Sequence, residues 1–267
     1  MNSHAQSSGI SPVLLSARVV WLEITRREQY FALLILMGLY LFFAVGARLA
    51  GNTQAEAVAL LLNMGLWLAS ALAAVLTLIS SVRALPMEME MQTLYPLLAK
   101  PVARGEILLG KWLASMLAGW LCFGVFGILT VLTWTAQFPL PGQSMQMFAQ
   151  SIPLQLAALG LLASSGLLLS LLLPPSVSIL IGGFLYFGGG LVSNLLMTLM
   201  RDSRLSLWID ALLQYLPQFS KLCLLQRFTD GAPPLSWGEW SLLLIYSIGV
   251  TFAFLGLANR LFDRRSL

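Results

Sequence analysis

The sequence predicts an all-α integral membrane protein, with an N-terminal interfacial amphipathic helix followed by six transmembrane helices. Three observations carry this expectation. Of 267 residues, 58% are apolar and only 10% are charged, where a soluble domain carries about 25% charged residues. The mean hydropathy is +0.83. The apolar residues also run in stretches of roughly 20, the length a helix needs to cross the hydrocarbon core. So few charges cannot cover a water-facing surface, which makes lipid the solvent. The same composition excludes disorder and leaves no room for a separate catalytic domain, so a single transmembrane domain over residues 1–267 is expected.

Along the chain, Val13, Leu14, Ala17, Val20, Trp21 and Ile24 recur at helical spacing, with Arg18, Arg26 and Arg27 placed elsewhere. Residues 11–29 therefore read as a helix lying in the membrane surface, with Trp21 as an interface anchor. The first span runs over 30–47 and closes on Arg48 and the polar Gly51-Asn52-Thr53-Gln54. The second, 57–82, is long enough to tilt. Residues 83–111 then gather Arg83, Glu88, Glu90, Lys100, Arg104, Glu106 and Lys111, far more charge than the flanking spans hold. A third span follows at 112–134, and an uncharged turn with Pro139, Pro141 and Gly142 leads to the fourth at 152–173. Pro174-Pro175 stops that helix, because proline cannot continue a helix interior and pushes its predecessor out of helical geometry. The fifth span, 177–200, follows at once, which makes a tight hairpin. Residues 201–239 form a loop with one or two interfacial or re-entrant helices, and the sixth span covers 240–261.

With both termini inside, ten of the 15 Lys and Arg residues lie on the inner side, among them Arg18, Arg26, Arg27, Arg83, Lys100, Arg104 and Lys111. Arg48, Arg201, Arg204, Lys221 and Arg227 lie outside. Positive residues are retained on the cytoplasmic side, so cytoplasmic termini in the inner membrane are expected. The first thirty residues lack a short apolar core ending in a small-residue cleavage site, so the first span is expected to act as the insertion signal. A formal charge of +4 is too mild for a nucleic-acid binder. Cys122 and Cys223 cannot build a disulfide framework.

Gly105 to Lys111 has the glycine and lysine spacing of a phosphate-binding loop, but Trp112 stands where Ser or Thr would hold magnesium, and no buried strand precedes it. Gly110 and Lys111 read instead as the mouth of a span, the lysine snorkelling to lipid phosphates. The only histidine, His4, lies in the polar N-terminal tail, so imidazole chemistry has no parts here. No span has an ionisable residue near its centre, which disfavours an ion-coupled carrier. Asn63, Gln155 and Asn194 read as interhelical hydrogen-bonders. Gly182 and Gly189, like Gly183 and Gly190, are seven residues apart and share a helix face, which allows close backbone approach and, during a transport cycle, sliding.

The charged segment carries a family resemblance. Arg83 near the span end, Glu88 and Glu90, then Gln92-Thr93-Leu94, Leu97-Leu98, Pro101-Val102 with Arg104, and a closing Gly110-Lys111 resemble the signature of type-2 ABC exporter permeases. Gln92 stands where the family commonly has Gly. The first-span region is similar to permeases associated with multicopper-enzyme maturation. The resemblance implies a non-catalytic permease subunit that works with a second permease copy or a homologue, in contact with membrane lipid. Separate ABC ATPase subunits would bind ATP and magnesium, and this chain would bind no cofactor itself. It further implies that Glu88, Glu90, Thr93, Leu94, Leu97 and Leu98 lie on a coupling helix seated on the ATPase, with Arg83, Arg104 and Lys111 as its cytoplasmic anchors. The residues agree: leucines can dock in a cleft while the two glutamates pair with basic groups. A membrane scaffold or assembly factor that moves no cargo is the rival from another class, separated by energy coupling.

Overall fold

The computed structural model describes residues 29–49, 55–85, 104–135, 142–188, 219–223 and 235–264, and these residues are helical apart from short turns and caps. The elements are α1 (Gln29–Leu49), α2 (Ala55–Arg83), α3 (Arg104–Thr135), α4 (Gly142–Leu172), α5 (Pro175–Gly183), α6 (Phe219–Leu222) and α7 (Trp237–Arg264). A single π-helical turn, Phe184–Gly188, continues α5. Four helices contain segments long and apolar enough to cross a membrane, namely Leu61–Arg83, Gly105–Leu132, Gln146–Leu172 and Trp237–Phe262. Leu34–Gly46 and Pro175–Gly188 are shorter apolar segments. The chain is a multi-pass membrane protein, and the second, third, fourth and sixth expected spans correspond to the four long segments.

Two helices begin well before the expected spans. α3 starts at Arg104, so the last turns of the charged segment are already helical, and α4 starts at Gly142, ahead of Gln150 and Ser151. Charge and amide groups shorten an apolar run without breaking a helix, which tertiary contacts then extend. The hairpin forms where expected: Pro174 is extended (φ −57°, ψ 149°) and Pro175 opens α5. There the buried Ser178 hydroxyl lies 3.0–3.3 Å from the carbonyl oxygens of Leu169, Leu173 and Pro174. It thereby supplies a donor to the end of α4, where the helix leaves carbonyls without intrahelical partners. The interfacial helix expected at 11–29 falls outside the described residues, save its last residue, as does most of 201–239.

Helix α4 is the hub. Residues 158–167 are buried without interruption, which for an apolar helix means enclosure on all sides, here by α2, α3, α5 and α7. α2 packs against α3 on one side and α4 and α5 on the other, whereas α1 leans on α2 and α3 with Met37 and Ala44 inward and Ile35 and Phe42 more than 70% exposed. α7 buries one stripe, Ser247, Thr251, Leu255, Ala258 and Phe262, and exposes Leu242, Ile245 and Phe252. Exposed apolar faces of this kind are ones that lipid or another membrane helix covers.

Close approach depends on small residues. Gly119 of α3 sits on Thr77 of α2, and Gly166 of α4 sits on Ser81, also of α2; a side chain at either glycine would run into the facing hydroxyl. Each hydroxyl is turned onto its own helix, Thr77 to the Ala73 carbonyl and Ser81 to the Leu78 carbonyl. By contrast, Gly124 of α3 faces open space. Gly119→Leu is therefore expected to lower stability by about 1–3 kcal/mol through overpacking, while Gly124→Leu leaves it unchanged or improved. Thermal unfolding of the two variants in the same detergent checks the contrast.

Candidate functional site

One pole of the bundle gathers the ends of four helices. Leu85, just past α2, packs with Leu108 of α3, Leu167 and Leu171 of α4, and Leu255, Ala258 and Phe262 of α7. The α4–α5 hairpin lies at this same end, beside Leu171. Both roots of the charged segment, where α2 ends and α3 begins, belong to this cluster. The residues between them, 86–103, fall outside the described set, and with them Glu88, Glu90, Thr93, Leu94, Leu97 and Leu98.

The three expected anchors divide. Arg83 is the last residue of α2 and is exposed, and Arg104 opens α3. Lys111 does not reach outward to lipid: it is 1% exposed, and its Nζ donates to the Ala84 carbonyl oxygen. The physical reason is local. Ala84 follows the end of α2, where carbonyls have lost their helical partners, and the lysine stem crosses the apolar contact to reach one of them. Beside this joint Asn259 of α7 lies against Gly105, where a Cβ would come 3.2 Å from Asn259 Oδ1. That oxygen is buried and has no hydrogen-bond partner among the described residues.

Away from this pole, α4 is tied to its neighbours through its own backbone. The indole N–H groups of Trp112 and Trp120 on α3 donate to the Gly160 and Leu156 carbonyls at 3.0 and 2.9 Å, and Trp240 of α7 donates to the Gln150 carbonyl at 2.9 Å. A cavity of about 350 Å³ lies between α3, α4 and α7, lined by Trp112, Trp120, Pro153, Gly160, Thr251 and Phe252 among others. Its indole donors are spent on α4, and the Ser247 and Thr251 hydroxyls on α7's own carbonyls. The wall therefore offers dispersion contact and no free donor.

Gln155 makes the interhelical bond expected of it: Nε2 donates to the Tyr186 hydroxyl at 2.9 Å, in the π-helical turn after α5. The Cys223 thiol lies 3.7 Å from the same oxygen, and the Phe219 ring packs on Tyr186 at 5.5 Å. Sequence reasoning missed Tyr186, because a lone Tyr in an apolar run has no period to mark it. Of the packing glycines, Gly182 lies against Leu78 of α2 with Gly183 at its edge, while Gly189 and Gly190 fall outside the described residues. Among the described residues no three His, Cys, Asp or Glu side chains converge as a metal site would need.

A double-mutant cycle with Gln155→Leu and Tyr186→Phe is expected to give a coupling energy of about 0.5–2 kcal/mol, the range of interhelical hydrogen bonds in membranes. Reversible unfolding in mixed micelles measures it; additive effects would mean that the two side chains do not interact.

In comparison with known families, a model described as ABC-2 family transporter protein matches residues 27–267, nearly the whole chain. No curated protein matches it.

Proposed function

From the premise that this chain belongs to the ABC-2 transporter family and is a membrane transport permease, we propose that it is the spanning subunit of an ATP-binding cassette exporter, driven by separate ATPase subunits. Two permease copies, or this chain and a homologue, meet in the inner membrane with their termini in the cytoplasm. The segment around Glu88, Glu90, Thr93, Leu94, Leu97 and Leu98 rests on the ATPase, the leucines in a cleft and the glutamates against basic groups. Closure of the ATPases on ATP and magnesium presses on these segments and converts an inward-open cleft between the permeases into an outward-open one. The permease itself performs no chemistry. Its cycle is an equilibrium between two packed states, biased by the nucleotide state of the partner.

The observation that supports this reading is where the described ends of the charged segment lie. Its two roots enter one apolar cluster with the ends of α4 and α7, so a push on the segment acts on four helices together. The small-residue contacts at Gly119, Gly166 and Gly182 give those helices the close, smooth faces along which packed bodies shear. An apolar or amphipathic cargo suits the apolar cavity wall between α3, α4 and α7.

Purification of the full complex from native membranes should bring down an ABC ATPase. Leu94→Glu and Glu90→Lys should each lower the ATPase stimulation that the permease confers by about fivefold or more, at normal permease abundance. Unchanged stimulation in both, or an isolated permease without an ATPase, would favour a scaffold over a transporter.

A further inference from the structure

The cavity between α3, α4 and α7 measures about 350 Å³, a little over twice the roughly 150 Å³ that takes up a benzene molecule, which leaves room for about a dozen carbon atoms. Its lining follows the helices lengthwise. Trp112, Met116 and Trp120 recur at every fourth residue and form one stripe of α3, about 12 Å long. The space exists because α4 fills little of it: Gly160 sets no side chain against Met116 and Trp112, and Ala157 carries only a methyl group. Indole bonds from Trp112 and Trp120 to α4 carbonyls hold the two walls in register, so the cavity is preformed. On its third side stand Ile248 and Phe252 of α7, 50% and 62% exposed. The opening is therefore sideways, through the face that the bilayer meets. Depth follows from the helix rise. At the pole where α3 begins, Arg83, Arg260 and Arg264 are exposed, and such residues sit at headgroup level. Measured along α3 from Arg104, the cavity runs from about 12 Å down, at Trp112, to about 24 Å down, at Trp120. One leaflet with its headgroups is about 20–22 Å deep.

We propose that the cavity binds one acyl chain of a phospholipid from the leaflet at this pole, the chain entering past Ile248 and Phe252 and lying along α3 with its end near Trp120. The inference concerns binding and does not rest on the transport cycle. Water is a poor occupant, because it needs two to four polar partners, and the indole protons and the Ser247 and Thr251 hydroxyl protons are already used. A void is no better, since its lining forfeits dispersion contacts on one side. A hydrocarbon chain supplies those contacts and asks for no hydrogen bond. Position selects the source of the chain: at this depth the bilayer offers the lower parts of the acyl tails of that one leaflet. The phosphate of the same lipid stays outside the helices at the level of Arg260 and Arg264, whose charge complements it.

Phosphatidylglycerol with a photoactivatable diazirine in the lower part of one acyl chain tests this. The full chain is irradiated in mixed micelles of detergent and this lipid, and its adducts are mapped by mass spectrometry. Interior adducts, on Met116 and Thr251, are compared with outer adducts, on Leu242 and Ile245 of the exposed α7 face. As the mole fraction of lipid rises, interior adducts should saturate while outer adducts grow in proportion. Ala157→Phe should lower interior adducts by roughly fivefold or more, because its ring takes the place of about six chain carbons, and leave outer adducts unchanged. Gly124→Leu, which adds bulk to α3 in open space, should change neither. The saturation measurement uses wild type alone, so a poorly folded Ala157→Phe does not remove the test. Interior adducts that are missing from wild type, or that grow in proportion like the outer ones, would overturn the site. So would interior labelling that persists in an Ala157→Phe variant of normal thermal stability. Displacement of the interior label by free palmitate, but not by unlabelled phosphatidylglycerol, would overturn the phospholipid as the occupant.

Discussion

Within lipid, an apolar side chain gains nothing by turning from an acyl chain to another helix, so the body must be held by close backbone approach and by hydrogen bonds. This constraint organises the whole structure. Helix α4, enclosed on all sides over residues 158–167, is short of large side chains where its neighbours come nearest. Gly166 receives Ser81 and Gly160 lies under Met116 and Trp112. The three indoles that donate to α4 carbonyls specify which helices touch and at what height. Because the acceptors are main-chain oxygens, α4 itself needs no matching polar side chain.

Small residues set the spacing. Thr77 and Ser81, each turned onto a carbonyl of its own helix, fit against Gly119 and Gly166, which lets α2, α3 and α4 approach closely. Beside the indole bonds stand two others, the Gln155–Tyr186 pair inside the bundle and the Lys111–Ala84 joint at the pole. The second is the more consequential. It ties the end of α2 to α3, and the apolar cluster around Leu85 and Leu108 joins both to α4 and α7.

Much of this was legible beforehand. The apolar runs placed the long helices, and Pro174-Pro175 placed the hairpin to within two residues, because proline acts through its own ring and needs no neighbour to do so. Gln155 was recognisable as an interhelical donor, since an amide at that depth has few alternatives. The beginnings of α3 and α4 were less legible: Arg104, Glu106 and Lys111, or Gln146, Gln150 and Ser151, lower a hydropathy average without lowering helicity. Tyr186 gave no signal at all, its role coming from a partner on another helix and from a π-helical turn.

The sequence by itself determined what is set by transfer free energy and local geometry: lipid as solvent, the four long apolar helices and the hairpin. Tertiary structure decided where the charges end. Lys111 reads as a snorkelling anchor for as long as only its own helix is considered, and is buried once the end of α2 brings an open carbonyl within its reach. The physical reason is that hydration and burial of a lysine differ by its partners, and those partners lie far away in the chain.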